Sequence, residues 1–221
     1  MSAFVLIRHA QSTWNATGRW QGQADPPLSQ AGTALTVRAA ALLGDEPPFD
    51  LVITSDLQRA RLTGELLAAA GADAGAPPDP GRPSPRLMVE PGLREFHVGD
   101  WSGLTRTEIE QRWPSQLALF DSGGLPAAPG GESRADFDDR IQVAAHRVSR
   151  LIDRHRPART LIVTHGGVIR SLVRNAGLQE RHVPNLAGYG GVAGPNGLAL
   201  QFPVDLLGPA GSDQVSGPVA L

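Results

Sequence analysis

Short, wholly apolar runs alternate along the chain with longer stretches whose apolar positions recur every three or four residues. Phe4-Val5-Leu6-Ile7, Leu51-Val52-Ile53-Thr54 and Leu161-Ile162-Val163-Thr164 have the length of strands buried on both faces, and 198–202 forms a weaker run. Ser29 is placed to cap a helix in which Ala31 through Leu43 keep helical spacing. Leu57 to Ala70 reads as a second helix, directly after the strand at 51–54. Ser133, with Asp136 three residues on, resembles a capping box for a long helix reaching about His155. Strands alternating with helices predict an α/β fold, a three-layer α/β/α sandwich with a mainly parallel central sheet, formed as one domain over 1–221. Residues 70–85, 121–131 and a Gly/Pro-rich tail from about 203 read as irregular.

Two of these strands end on histidine: Ile7 leads into Arg8-His9, and Thr164 into His165-Gly166. Parallel strands of one sheet finish together at one edge, where ligands bind. His9 and His165 are therefore expected to meet beside Arg8. Two imidazoles and a guanidinium invite an anion, and phosphate is the obvious one. Taken singly, each histidine is as readily explained as the chance end of a buried strand.

Composition removes most other chemistries. The 221 residues are 41% hydrophobic and carry a formal net charge of -2, which suits one soluble core and argues against nucleic acid or an anionic membrane as partner. No apolar stretch approaches the ~20 residues of a membrane helix, and no signal-length segment opens the chain, so a cytoplasmic location is expected. Cysteine is absent, which excludes disulfides, thiolate metal sites and cysteine nucleophiles. All 20 basic residues are arginine, which removes Schiff-base chemistry and any phosphate loop built on lysine. No Gly-x-Ser-x-Gly or His-Glu-x-x-His motif occurs.

Four clusters hold the remaining candidates: Arg8 to Asn15 with Gly18-Arg19-Trp20-Gln21-Gly22, Ser55 to Ala60, Leu93 to Gly103, and Thr164 to Gly167. In this order and spacing they resemble the histidine phosphatase superfamily, in its phosphoglycerate-mutase-like branch, over residues 4 to about 175. The resemblance implies that His9 is the nucleophile that becomes phosphohistidine. It implies that Arg8, Arg59 and His165 clamp the phosphoryl group, and that Glu95 protonates the leaving oxygen. Asn15, Gln21, Gly22 and Gly166 fall on positions that touch phosphate or substrate, and no metal or other cofactor is implied. A homodimer is plausible on the same ground.

The residue types suit those roles. Arginine forks match equatorial phosphoryl oxygens, and the same cations keep a ring nitrogen of His9 unprotonated. To act as acid, Glu95 needs partial burial beside the incoming phosphate. Each residue also has a plainer reading. Arg59 can be a surface arginine, Glu95 can pair with Arg94, and Trp14, Trp20, Trp101 and Trp113 can serve packing. His97, His146, His155 and His182 read as surface or structural. Glu132, in Gly130-Gly131-Glu132-Ser133, is expected to favour the helix N-terminus that follows. Two positions depart from the family pattern: Ala10 stands where glycine is usual and Gln11 where glutamate is usual.

Only 70 positions separate Glu95 from His165, the loop at 121–131 has no basic residue, and Gly167 stands where the mutases carry asparagine. Without a cationic cage, water is expected to reach the phosphohistidine, so a phosphatase is expected and not a mutase. Trp20-Gln21-Gly22, Gly99 to Thr105 and Gly130 to Arg134 are similar to segments of actinobacterial phosphatases, including glucosyl-3-phosphoglycerate phosphatases. A small phosphosugar or phosphoglycerate-type monoester is the expected substrate. A phosphoglycerate mutase, a phosphohistidine protein phosphatase and a non-catalytic phosphate-binding module are the alternatives.

Overall fold

The computed structural model describes residues 2–44, 46–69 and 84–208. Most of the connection expected at 70–85, and the chain from 209, lie outside these. A six-stranded sheet is built from β1 (Ser2–Arg8), β2 (Leu51–Thr54), β3 (Arg86–Val89), β4 (Thr160–Thr164), β5 (Ala187–Gly194) and β6 (Gly197–Asp205). Its order is β3-β2-β4-β1-β5-β6, with β3, β2, β4 and β1 parallel and β5 and β6 antiparallel to their neighbours.

Alternation of side chains fills both faces. Phe4, Leu6, Leu51, Ile53 and Ile162 pack under α6 (Arg134–His155) and α7 (Gly166–Asn175). Ile7, Val52, Leu161 and Val163 face α2 (Gln30–Leu42) and α3 (Gln58–Ala68). The three-layer sandwich follows. Phe137, Ile141, Ala144, Val148 and Ile152 place one face of α6 in the core, and Ser133 Oγ accepts from Asp136 N at its start.

Among the strands, β3 and β5 are those the apolar pattern did not reveal. Three of the four β3 residues are exposed, as befits a short edge strand. β5 reads Ala-Gly-Tyr-Gly-Gly-Val-Ala-Gly, with glycines at 188, 190 and 191 where its neighbours leave no room for a Cβ. A Cβ at Gly188 would stand 2.0 Å from Leu6 O, and one at Gly191 2.1 Å from Ala199 O. The expected tail also begins later, since β6 pairs with β5 as far as Asp205. A third cluster, around Trp20, Trp101, Ile109, Leu117 and Phe120, lies beneath α4 (Arg106–Arg112) and α5 (Pro114–Asp121). Trp20 and Trp101 meet edge to face at 5.6 Å, so both serve packing.

Candidate active site

The parallel pairing of β1 with β4 continues one step past the strand, where His9 N donates to Thr164 O at 2.8 Å. This sets His9 beside His165, their ring centroids 5.1 Å apart and their planes tilted by 62°. His9 Nδ1 lies 2.6 Å from Ala10 O. A carbonyl only accepts, so Nδ1 carries the hydrogen and Nε2 the lone pair. Arg59 Nε donates to that Nε2 across 3.3 Å. Asn185 Nδ2 donates to His9 O at 2.7 Å, fixing the backbone behind the ring.

Arg59, in the first turn of α3, is fully buried and therefore not the surface arginine its sequence position allowed. Its two terminal nitrogens donate to Ala24 O at 2.7 Å and Gly22 O at 2.8 Å. Gly22 holds φ at +50°, and a Cβ there would stand 2.7 Å from Val98 Cγ2. Arg8 donates to Val183 O at 2.9 Å, while its Nε is buried without a partner. Burial pulls both guanidinium groups down to about 10, with Glu95 acting in the opposite sense, so both stay charged at neutrality. His165 caps α7, and both its ring nitrogens are buried without a partner.

Burial, then the charge of Arg59, holds both imidazoles well below their ordinary value of 6.5. The unfolded chain therefore takes up protons that the folded one refuses. Stability from these histidines is present above about pH 6.5 and declines progressively below it, as the pH falls towards their lowered folded-state values. Denaturation followed from about pH 7.5 to pH 5 should show this decline, and His165→Asn should make it shallower. An unchanged slope in the variant would show that His165 titrates alike in both states.

Glu95 arrives by a different route. Glu90 N donates to Thr54 O at 2.9 Å, extending the β2–β3 pairing, and a 3-10 turn over Pro91–Leu93 follows. Thr164 Oγ1 donates to Leu93 O at 2.9 Å and ties this segment to the end of β4. Glu95 Oε1 then accepts from Phe96 N at 2.8 Å and Oε2 from Gly167 N at 3.1 Å, at the N-terminus of α7. Arg94 pairs instead with Asp56, at 2.5 Å. A Cβ at residue 167 would fall 2.1 Å from Glu95 Oε1. Gly167→Ala is therefore expected to displace the carboxyl group and lower kcat/KM on an alkyl phosphate by about 10²-fold, with little change in melting temperature. Wild-type rates would show that the carboxyl position does not matter.

The remaining positions are divided. Gly166 lies at the centre: a Cβ there would sit 3.6 Å from Arg8 Nε and 3.5 Å from Arg170 Nη1. Gly22 meets the site through Arg59. Asn15 and Gln21 are tied through their oxygens to Ser12, which donates from its N to Asn15 Oδ1 at 3.1 Å and from Oγ to Gln21 Oε1 at 2.7 Å. Both amide oxygens are thus taken up within the loop. Ala10 is buried in the apolar core against α2 and α3. Its φ is not positive, so alanine fits where glycine is usual. Gln11 Oε1 accepts from Ser29 Oγ at 2.8 Å, at the start of α2.

Asn185 and Thr63, whose Oγ1 accepts from Ala10 N at 3.1 Å, support the backbone at His9 and Ala10, and no sequence motif marks either. His182 is exposed, in keeping with a surface reading, and the charges of Arg8 and Arg170 reach it. Partial burial, then Arg8 and Arg170, lowers its affinity for protons. No group of three or more metal-ligating side chains gathers among the described residues.

An unprotonated imidazole with its Nε2 lone pair facing the site, a second imidazole, two guanidinium groups and a carboxyl group thus share one sheet edge. The family model for the histidine phosphatase superfamily (branch 1) matches residues 4–188. The chain belongs to this superfamily. It is 34% identical over 193 residues to the glucosyl-3-phosphoglycerate phosphatase of Mycolicibacterium vanbaalenii, covering 84% of this chain and 79% of that one. It is 33% identical over 174 residues to the metal-independent phosphoserine phosphatase of Arabidopsis thaliana, covering 78% and 67%. A mycobacterial glucosyl-3-phosphoglycerate phosphatase solved with VO3 superposes with a TM-score of 0.70 at 28% identity, over 91% of this chain and 97% of that one.

Proposed function

We propose that this superfamily member hydrolyses phosphate monoesters without a metal, through a phosphohistidine on His9. The observation that carries this reading is the state of His9. Its Nδ1 is committed to Ala10 O, and its Nε2 lone pair lies among Arg59, Arg8 and His165. The N–H of Arg59 is 3.3 Å from Nε2, a long bond that an incoming phosphoryl oxygen can take over. Nε2 then attacks phosphorus, and the P–O bond to the leaving group breaks. Arg8, Arg59 and His165 spread the charge on the three equatorial oxygens. Glu95 gives its proton to the departing alkoxide. Water next attacks the phosphohistidine, Glu95 takes a proton from it, and inorganic phosphate leaves as His9 regains its lone pair.

The phosphatases among the relatives support hydrolysis of a small phosphorylated metabolite, and the Arabidopsis protein's name supports metal independence. A phosphosugar or phosphoglycerate-type ester is the substrate class proposed. The test is release of inorganic phosphate from a panel of phosphomonoesters in excess chelator. Turnover that ranks sugar phosphates and phosphoglycerates above simple aryl esters is expected. Release that requires an added divalent metal, or transfer of phosphate between positions of phosphoglycerate in place of release, would contradict the proposal.

A further inference from the structure

The acid sits in the least regular part of the site. Between the 3-10 turn at Pro91–Leu93 and the next at Gly99–Trp101, the chain has neither helix nor strand to hold it. Its backbone groups are satisfied from outside instead. Arg140, on α6, donates from Nη1 to Gly92 O at 2.8 Å and Arg94 O at 2.9 Å, and from Nη2 to Glu95 O at 3.3 Å. The same guanidinium is gripped by Glu132, with Nη2 to Oε1 at 2.7 Å and Nε to Oε2 at 3.2 Å. Glu132 reaches the other side of the acid: its Oε1 accepts from His97 N at 2.6 Å, and its own N donates to His97 O at 3.0 Å. Glu132 therefore binds the acid's segment and Arg140, not the helix N-terminus it was expected to favour.

The pair is rigidly supported. The Arg140 and Glu132 side chains are only 25% and 17% exposed, and the guanidinium lies 5.0 Å over the Phe137 ring. Phe137 in turn meets Phe96, next to the acid, edge to face at 5.2 Å. A bidentate guanidinium–carboxylate pair has a fixed plane and fixed donor directions, which a lysine could not reproduce.

We infer that the Glu132–Arg140 pair is the positioning device that sets where Glu95 delivers its proton. The inference rests on the reading of Glu95 as general acid given above. Neither residue touches the reacting atoms; both act through the backbone on either side of Glu95. A carboxyl group shifted by about 1 Å from its productive place costs on the order of 10²-fold in rate.

The test measures kcat/KM for wild type, Glu95→Gln, Arg140→Met, Arg140→Lys and Glu132→Gln on phenyl phosphates graded by leaving-group acidity and on an alkyl phosphate. A good leaving group departs without protonation, so a misplaced acid is felt only by poor ones. Arg140→Met and Arg140→Lys are expected to lose about 10²-fold on the alkyl ester and less than about tenfold on the most activated aryl ester, in the pattern of Glu95→Gln. Glu132→Gln preserves size and polarity and is expected to show the same trend more weakly. Equal losses across the series, or wild-type rates in Arg140→Lys, would overturn the inference. A Glu95→Gln series with no leaving-group dependence would instead overturn the assignment of Glu95 as acid.

Discussion

His9→Ala is expected to lower turnover of every phosphomonoester by more than about 10³-fold while the protein still folds. The ring is buried, but its polar ties are few: Nδ1 to Ala10 O, and Nε2 from Arg59. Its loss removes one acceptor for Arg59 and one donor for Ala10 O, a cost of about 1–3 kcal/mol for a group left unpaired. The guanidinium groups of Arg8 and Arg59 remain charged beside the neutral His165 ring and are expected still to hold an anion. Inorganic phosphate should therefore bind the variant, as a calorimetric titration would register. Phosphate binding without turnover separates the nucleophile from the clamp. Residual hydrolysis above about a thousandth of wild type would remove His9 from the chemistry.

The second large effect falls on Arg59, where catalysis and stability are joined. The guanidinium is fully buried and donates to His9 Nε2, Ala24 O and Gly22 O. Arg59→Ala leaves two carbonyls without their donor and a space in the packed interior, a loss on the order of 3–5 kcal/mol. Loss of one preorganised donor to the transition state adds about 10²–10³-fold in kcat. Arg59→Lys restores charge but not the planar fork that reaches three acceptors, so it should recover some stability and little activity. A variant with an unchanged melting temperature and a rate loss under about tenfold would show that Arg59 is not part of the clamp.

Much of this arrangement was legible in the amino-acid order because buried parallel strands announce themselves as unbroken apolar runs. Phe4–Ile7, Leu51–Thr54 and Leu161–Thr164 became β1, β2 and β4, and the residues following them supplied Arg8, His9, Arg59 and His165. β5 escaped notice because its glycines answer to close backbone contacts with Leu6 and Ala199, not to side-chain burial. β3 escaped because it is short: its apolar run, Leu87-Met88-Val89, stops at three residues, on an exposed edge. That strand nonetheless leads to Glu95, so all four clusters follow strands to the same edge.

The supporting residues were harder to see. Asn185 and Thr63 act on the backbone of His9 and Ala10, and a backbone contact leaves no pattern in sequence. Glu132 was visible as a motif residue, but its purpose depends on Arg140, eight positions further along α6. Only the folded chain shows that both meet the segment carrying Glu95. The two departures from the family pattern also gained their explanation from packing: Ala10 turns into the core and Gln11 into the start of α2.

A covalent phosphoryl group on His9 is the step on which the proposed mechanism turns, and it can be trapped. Wild-type protein mixed with an activated aryl phosphate would be quenched in alkali, digested and analysed by mass spectrometry. A phosphoryl group on the peptide containing His9, stable in alkali and lost in acid, is the predicted result, absent from His9→Ala and accumulated when Glu95→Gln slows the attack of water. Steady phosphate release with no adduct on that peptide, or an adduct on another residue, would contradict it.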